Sequence, residues 1–312
     1  MSLIEIIGLS AHFHTHDGIV KAVDKIDLSI GETETFGLIG ETGSGKSVLG
    51  LSITRLLPPT ATVEGKIIYK GRDMLTVSED DIRKIRGGEI TNILQNPTTS
   101  LNPVIKIGEQ IAEAIRLHQG LNKKEAKEKA IEMLDAVKVP SPSKRAEQYS
   151  HEFSGGMKQR VMIAMGLACD PFFIIADEPT KGLDVTVKVQ IVDLMKEMTE
   201  HKTMLIITHD LGVAAAMCDR IALMYAGEIV ECATPSDMFE KPMHPYTRGF
   251  LNSLPHRGLT PIQGMSPSLI DYPDGCRFSP RCEYANEECI HHHPGMSRIQ
   301  SEHFVRCFNA RS

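Results

Sequence analysis

The sequence lacks an apolar run long enough to cross a membrane. Its longest apolar runs, residues 171–176 and 204–207, are far shorter than the roughly 18 residues that indicate a spanning helix. The N-terminal residues have no basic segment and reach an acidic residue at Glu5, so they do not predict a secretion signal. We therefore expect a cytoplasmic protein.

An excess of basic charge is also absent. Acidic residues outnumber basic ones 40 to 34, and the net charge is -6 at pH 7. Because no global basic field exists, we expect no nucleic-acid partner. The 41% hydrophobic and 24% charged residues are typical of a folded globular protein. In a reducing compartment the seven cysteines are expected as thiols or metal ligands rather than disulfides.

Hydrophobic periodicity predicts an α/β protein built in several parts. Residues 4–30 alternate between apolar and polar positions, which is typical of half-exposed antiparallel strands. Residues 35–57 show a buried strand, a glycine-rich turn and a helical pattern. Apolar residues at helical spacing over 107–138 predict a helical insertion. From Gly156 onward helical and strand patterns alternate, which favours a parallel sheet.

The composition of the sequence changes after about Pro235, where prolines become frequent and hydrophobic periodicity is lost. We therefore predict a core domain over residues 1–235 and an irregular C-terminal extension over residues 236–312. Within the core, we expect a helical subdomain over about residues 97–165.

The segment Gly40–Ser47 matches the phosphate-binding pattern G-x-x-x-x-G-K-[ST], and it lies between a predicted strand and a predicted helix. Its glycines let backbone N–H groups face phosphates, while Lys46 neutralises charge and Ser47 ligates Mg²⁺. The segment therefore predicts a nucleoside triphosphate site. The residues assigned to it are Gly40, Glu41, Thr42, Gly43, Ser44, Gly45, Lys46, Ser47 and Val48.

Two carboxylates follow a second buried strand. Asp177 and Glu178 come directly after the apolar residues 172–176, at the end of a strand where open α/β sheets place ligand groups. Asp177 suits Mg²⁺, and Glu178 is positioned to accept the proton of an attacking water. The pair predicts hydrolysis of the bound triphosphate.

A second anion site is predicted at residues 154–157. Ser154, Gly155, Gly156 and Met157 form a turn directly before a helix, so free N–H groups and the positive end of the helix dipole point outward. In isolation this pattern would indicate only a serine cap. The order of the motifs along the chain favours the anion site.

That order resembles the ATP-binding subunits of ABC transporters, and the resemblance covers essentially the whole chain. It implies a P-loop NTPase fold of the ABC type and ATP hydrolysis with Mg²⁺. It identifies Gly40–Ser47 as Walker A, Gln95 as the Q-loop glutamine, and Ser154–Met157 as the start of the signature sequence. Asp177 and Glu178 then end the Walker B strand.

The resemblance also assigns individual roles. Asp184 matches the D-loop, His209 the switch histidine, and Phe13 the aromatic that stacks on adenine. It implies that catalysis depends on Glu178, His209 and Gln95, and that Mg²⁺ is held by Ser47, Gln95 and Asp177. The signature residues are implied to contact ATP held by a second ATP-binding subunit.

Three local features resemble the dipeptide, oligopeptide and nickel branch of that family. They are Met157 in the signature, the segment Thr99–Pro103, and His244–Thr247. The resemblance implies peptide import at the cytoplasmic face of the membrane, with two permease subunits and, indirectly, an extracellular substrate-binding protein. Nickel import and a soluble ABC-type ATPase remain alternatives, as do homodimeric and heterodimeric pairing.

Four cysteines crowd the extension, at positions 276, 282, 289 and 307. Their proline-rich surroundings have little apolar content, which suggests that a metal replaces a missing core. Zinc would suit four cysteines, although no C-x2-C knuckle is present. The resemblance implies a [4Fe-4S] cluster held by Cys276, Cys282, Cys289 and Cys307, with a redox role left open.

Overall fold

A computed structural model describes residues 2–254 and 258–310. The chain divides into two compact units. The first contains the described residues of 1–31, 35–75 and 207–312, and the second contains residues 32–34 and 76–206. Among the described residues, none of the helices combines the length and the apolar character needed to cross a membrane.

An antiparallel sheet opens the first unit, as the alternating pattern predicts. Its strand order is β2-β1-β4-β5, with β1 at Ser2–Thr15, β2 at Gly18–Gly31, β4 at Ala61–Tyr69 and β5 at Arg72–Asp73. Ile4 and Ile6 on β1 are buried, whereas Glu5 between them is exposed. The period of two therefore places one face of β1 in the core.

The first unit also holds a mixed sheet, in the order β11-β12-β10-β9-β3. Its strands are β3 (Thr35–Ile39), β9 (Arg220–Tyr225), β10 (Glu228–Ala233), β11 (Ser297–Gln300) and β12 (His303–Val305). The pair β3 and β9 is parallel, and the other neighbouring pairs are antiparallel. The two strands nearest the sheet edge belong to the predicted extension.

The helices of this unit are α1 (Lys46–Ile53), α9 (Leu211–Met217), α10 (Pro235–Glu240), α11 (Pro245–Asn252) and α12 (Glu287–His291). The extension is thus more regular than its composition indicates. Pro235 and Pro245 each occupy the first turn of a helix. Proline is favoured there because its missing N–H would have no partner within the helix anyway.

The second unit contains three strands in the order β8-β7-β6. They are β6 (Ile90–Ile93), β7 (Phe173–Asp177) and β8 (Thr203–Ile207), of which the last residue is grouped with the first unit. The pair β6 and β7 is parallel, as the alternation of strands and helices predicts. All five residues of β8 are buried.

The helical insertion predicted over residues 107–138 is present as α4 and α5 of the second unit. The helices of this unit are α2 (Glu79–Ile85), α3 (Pro97–Ser100), α4 (Ile107–Gln119), α5 (Lys123–Ala136), α6 (Pro142–Ala146), α7 (Gly155–Leu167) and α8 (Val185–Met198). Helix α4 ends at Gly120 in the left-handed conformation, and α5 begins with a capping box between Asn122 and Glu125. These local signals separate two helices that the periodicity alone runs together.

Candidate functional site

The loop between β3 and α1 folds around the Lys46 side chain. Its Nζ donates hydrogen bonds to the carbonyl oxygens of Gly40 (2.9 Å) and Glu41 (2.8 Å), and Lys46 is 7% exposed. A Cβ at Gly45 would lie 2.0 Å from the carbonyl oxygen of Ala22, whereas a Cβ at Gly43 would meet nothing within 4 Å. The loop is therefore packed tightly on one side and open on the other, which fits a cradle for phosphate groups.

The structure brings His209 next to this loop within the first unit. The Thr208 N–H donates to the Leu38 carbonyl oxygen at 3.1 Å, beside the end of β3. The next residue, His209, is exposed, and Asp210 caps α9 by accepting hydrogen bonds from the first turn. A histidine is thus held between a buried strand and a capped helix, close to where Gly40 begins the phosphate loop.

Phe13 lies in β1 of the same unit and is half-buried. It is paired with Val20 on β2 and with Ala61 on β4. A ring at this position can stack on an adenine base, and that role stays a prediction.

In the second unit, Gln95 and Glu178 follow neighbouring parallel strands. The register pairs Ile93 of β6 with Ala176 of β7, so each side chain lies two residues beyond the paired position. Glu178 is 8% exposed and has φ 49, a left-handed conformation that costs a non-glycine residue of the order of 1 kcal/mol. A carboxylate held in a strained backbone directly after Asp177 is the arrangement expected of a functional group.

The signature residues and the D-loop aspartate lie at the starts of α7 and α8, two helices of the second unit that contact each other. Ser154 caps α7 by accepting a hydrogen bond from the Met157 N–H, and Asp184 caps α8 by accepting one from the Val187 N–H. A Cβ at Gly156 would lie 2.8 Å from Cγ1 of Val187. A Cβ at Gly155 would meet nothing within 4 Å, so this turn is open to an approaching group.

The four cysteines of the extension line one cleft. Cys276, Cys282, Cys289 and Cys307 face the same space, of which only about 10 Å³ is wide enough for water. Burial raises the pKa of Cys276 to about 12 and also raises the pKa values of Cys282 and Cys307. Among residues 2–254 and 258–310, no group of three or more histidine, cysteine or acidic side chains is set closely enough to hold a metal ion. Four thiol groups therefore line one cleft, but the cleft has no room for a metal group in this structure.

One set of contacts to the phosphate loop lies outside the predicted site. Tyr246, Ser266 and Arg281, all from the extension, hydrogen-bond to Glu41. The sequence marks Tyr246 only as part of His244–Thr247. Because these partners lie 205 to 240 residues from Glu41, no local pattern predicts the contacts.

Two family models match separate parts of this chain. Residues 23–181 match the family model described as ABC transporter, and residues 230–289 match the model described as oligopeptide/dipeptide transporter, C-terminal region. The chain is 42% identical to the dipeptide transport ATP-binding protein of Bacillus subtilis, over 98% of this chain and 94% of that protein. It is 44% identical to the oligopeptide transport ATP-binding protein of Haemophilus influenzae, over 92% and 91% of the two chains.

A solved structure shows the same fold. An ATP-binding cassette determined as a dimer in a post-hydrolysis state, bound to ADP and Pi, superposes with a TM-score of 0.67 at 28% identity. The match covers 74% of this chain and 98% of that one. The chain therefore belongs to the family of ABC transporter ATP-binding proteins, and it is an ATPase with the ATP-binding cassette fold.

Proposed function

We propose that this chain is the ATP-hydrolysing subunit of a peptide importer. It lies on the cytoplasmic face of the membrane and couples ATP binding and hydrolysis to two permease subunits, which receive peptide from an extracellular binding protein. The observation that carries the proposal is the presence of both family regions in one chain, the ABC core and the oligopeptide/dipeptide C-terminal region. The relatives described above are named for peptides, which favours peptides over nickel.

We assign a role in ATP binding or hydrolysis to each predicted site residue. Lys46 and the loop N–H groups bind the β- and γ-phosphates, and Phe13 stacks on the base. The oxygens of Ser47, Gln95 and Asp177 suit Mg²⁺, which would supply positive charge to the phosphate oxygens. Glu178 accepts the proton of the attacking water, and His209 contacts the γ-phosphate.

The second anion site is assigned to the ATP of a partner subunit. The open turn at Gly155 and the positive end of the α7 dipole suit an incoming phosphate. Asp184 caps α8, and Val187 in the first turn of that helix lies against Gly156 of the signature turn. Two ATP-binding subunits, identical or homologous, would then share each nucleotide.

A decisive experiment combines uptake with recovery of partners. In a host strain lacking the chain, the restored chain should return uptake of a radiolabelled dipeptide or oligopeptide, and an affinity-tagged copy should co-purify with two integral membrane proteins. Lys46→Ala is the control, because it removes a phosphate contact and should restore no uptake. Restoration of nickel uptake without peptide uptake, or recovery with soluble proteins alone, would overturn the proposal.

We also propose that Cys276, Cys282, Cys289 and Cys307 hold a [4Fe-4S] cluster. The support is that the four thiols, the ligand type that iron-sulfur clusters take, line one cleft. The cleft must widen to admit such a group. Zinc, which also binds four thiolates, is the competing outcome.

A further inference from the structure

The C-terminal extension holds the phosphate loop at Glu41. The Glu41 N–H donates to the Tyr246 hydroxyl at 3.1 Å. Its carboxylate accepts hydrogen bonds from the Ser266 hydroxyl at 2.6 Å and from the Arg281 guanidinium at 3.1 Å. Lys46 meanwhile donates to the Glu41 carbonyl oxygen. Glu41 is therefore fixed by Lys46 on one side and by the extension on the other.

Arg281 is the buried member of the ion pair. Its side chain is 6% exposed, whereas that of Glu41 is 28% exposed. The guanidinium also donates to the Tyr225 hydroxyl at 3.3 Å, and it lies over the rings of Tyr225 and Phe278. The aromatic packing fixes the position of the charge, so Arg281 is a rigid support for Glu41 rather than a mobile surface partner.

A cavity of about 290 Å³ lies beside these hydrogen bonds, between the phosphate loop and the extension. The phosphate-loop residues 41–44 line it on one side, and Ser266, Pro267 and Leu269 of the extension line it on the other. The extension continues along the same unit to β2, where the Lys21 N–H donates to the Leu269 carbonyl oxygen at 2.8 Å. The segment 266–269 thus lies beside the phosphate loop and is also hydrogen-bonded to β2.

We propose that Arg281 is a positioning residue for nucleotide binding. It neutralises and tethers the Glu41 carboxylate, so that a phosphate loop carrying an acidic residue still attracts the negative charge of MgATP. The inference rests on ATP binding by the loop, and it is independent of the transported substrate and of any metal in the extension.

The physical reason is electrostatic. Glu41 is the second residue of a loop whose other groups attract phosphate, and an unneutralised carboxylate there repels the same phosphates. The Glu41 carboxylate and a phosphate bound in the same loop repel each other strongly because the site is partly buried, and salt screens this repulsion. Losing Arg281 should therefore weaken nucleotide binding through Glu41, and losing both charges should largely restore it.

The test is a double-mutant cycle in nucleotide affinity, measured by calorimetric titration of the full chain with MgADP. We expect Arg281→Gln to raise Kd at least about 10-fold, and we expect E41Q/R281Q to bind at least about threefold more tightly than Arg281→Gln. The loss in Arg281→Gln should shrink at high salt, because screening reduces the repulsion. Arg298→Gln is the matched control, since Arg298 donates to backbone oxygens of its own hairpin and its loss should leave Kd unchanged.

Two results would overturn the inference. One is an Arg281→Gln protein that binds MgADP as tightly as the unaltered chain. The other is a double variant as weak as Arg281→Gln, because the loss would then come from the packing of Arg281 and not from the Glu41 charge.

Arg281→Gln removes a buried side chain and could impair folding, so a second variant tests the same electrostatic effect without that change. Ser266→Asp adds a carboxylate beside Glu41 at an exposed position, and Ser301→Asp adds the same charge in a hairpin of the extension. We expect Kd to rise at least about threefold in the first and to stay unchanged in the second. Equal affinities for Ser266→Asp and the unaltered chain would contradict the electrostatic role.

Discussion

Glu231 and His303 form a buried pair that fastens the extension to the mixed sheet. The Nε2 atom of His303 lies 2.7 Å from a carboxylate oxygen of Glu231, and the two side chains are 1% and 0% exposed. The same carboxylate accepts hydrogen bonds from the N–H groups of Met243 and His244. Burial acts to raise the pKa of Glu231, but these hydrogen bonds outweigh it and lower the pKa. The carboxylate is therefore charged in the folded chain.

His303→Ala should destabilise the first unit substantially. Removing one partner of a buried pair leaves the other charge poorly compensated, which typically costs about 3 to 5 kcal/mol. Equilibrium unfolding in urea measures this directly. His291→Ala is the control, because His291 is 65% exposed and its pair with Glu287 lies on the surface. Equal free energies of unfolding for the two variants would show that Glu231 does not depend on His303.

His244 should make stability fall on mild acidification. Burial lowers its pKa to about 4 from 6.5, and its Nδ1 accepts a hydrogen bond from the Tyr246 N–H, which requires that nitrogen to be unprotonated. The unfolded chain therefore binds this proton more readily than the folded chain. The contribution is complete above about pH 6.5 and is lost as the pH falls toward 4, by roughly 2 to 4 kcal/mol.

His244→Asn tests this dependence, because asparagine can still cap α11 but does not titrate. We expect the variant to be less stable at pH 7 and to lose less stability than the unaltered chain between pH 6.5 and 4. The free energy of unfolding at several pH values provides the comparison. Parallel curves for the two proteins would assign the acid sensitivity to other histidines.

The phosphate loop and its flanking elements were predictable because their signals are local. A buried strand, a glycine turn and a lysine before a helix occur within residues 35–57, and β3 and α1 lie in that order. The strand predicted over the apolar residues before Asp177 and Glu178 is present as β7 for the same reason. The carboxyl ends of parallel strands collect polar residues, so apolar runs ending in such residues reveal both the strand and the site.

Other features could not be predicted because their partners are distant in sequence. Strand β10 contains Glu228 and Glu231, which break the apolar pattern of a buried strand. They are buried because Arg277, Arg306, His293 and His303 of the extension surround them. Likewise, Arg277 pairs with Asp24, 253 residues away. A buried ion pair is invisible to hydrophobic periodicity, so the packing of the extension on this sheet emerges only from the structure.

Glu178→Gln should separate nucleotide binding from hydrolysis. The amide keeps the shape and a hydrogen bond but cannot accept a proton, so ATP should bind normally while turnover drops at least about 100-fold. Steady-state phosphate release and nucleotide titration measure the two effects. Glu152→Gln is a suitable control, because Glu152 is exposed and caps a short turn. Retention of near-normal hydrolysis in Glu178→Gln would remove Glu178 from the role of base.

The composite site should make ATPase activity depend on protein concentration. In the proposed dimer each nucleotide also contacts the signature of a second subunit, so activity per mole should rise with concentration or on adding the cognate second ATP-binding subunit. Measuring phosphate release across a dilution series, together with the molar mass in solution, checks this. A monomer of proven mass with constant, full activity would exclude the shared site.

Changing one of the four cysteines should abolish the proposed cluster and leave nucleotide binding by the ATP core intact. Cys276, Cys282, Cys289 and Cys307 line one cleft, and chain prepared without oxygen should contain iron and sulfide and be brown. Cys282→Ser should lose the colour, whereas Cys169→Ser, a buried thiol of the second unit, should keep it. Both variants should still bind MgADP. Stoichiometric zinc without iron would establish a structural zinc site, and chain without any metal would refute the proposed cluster.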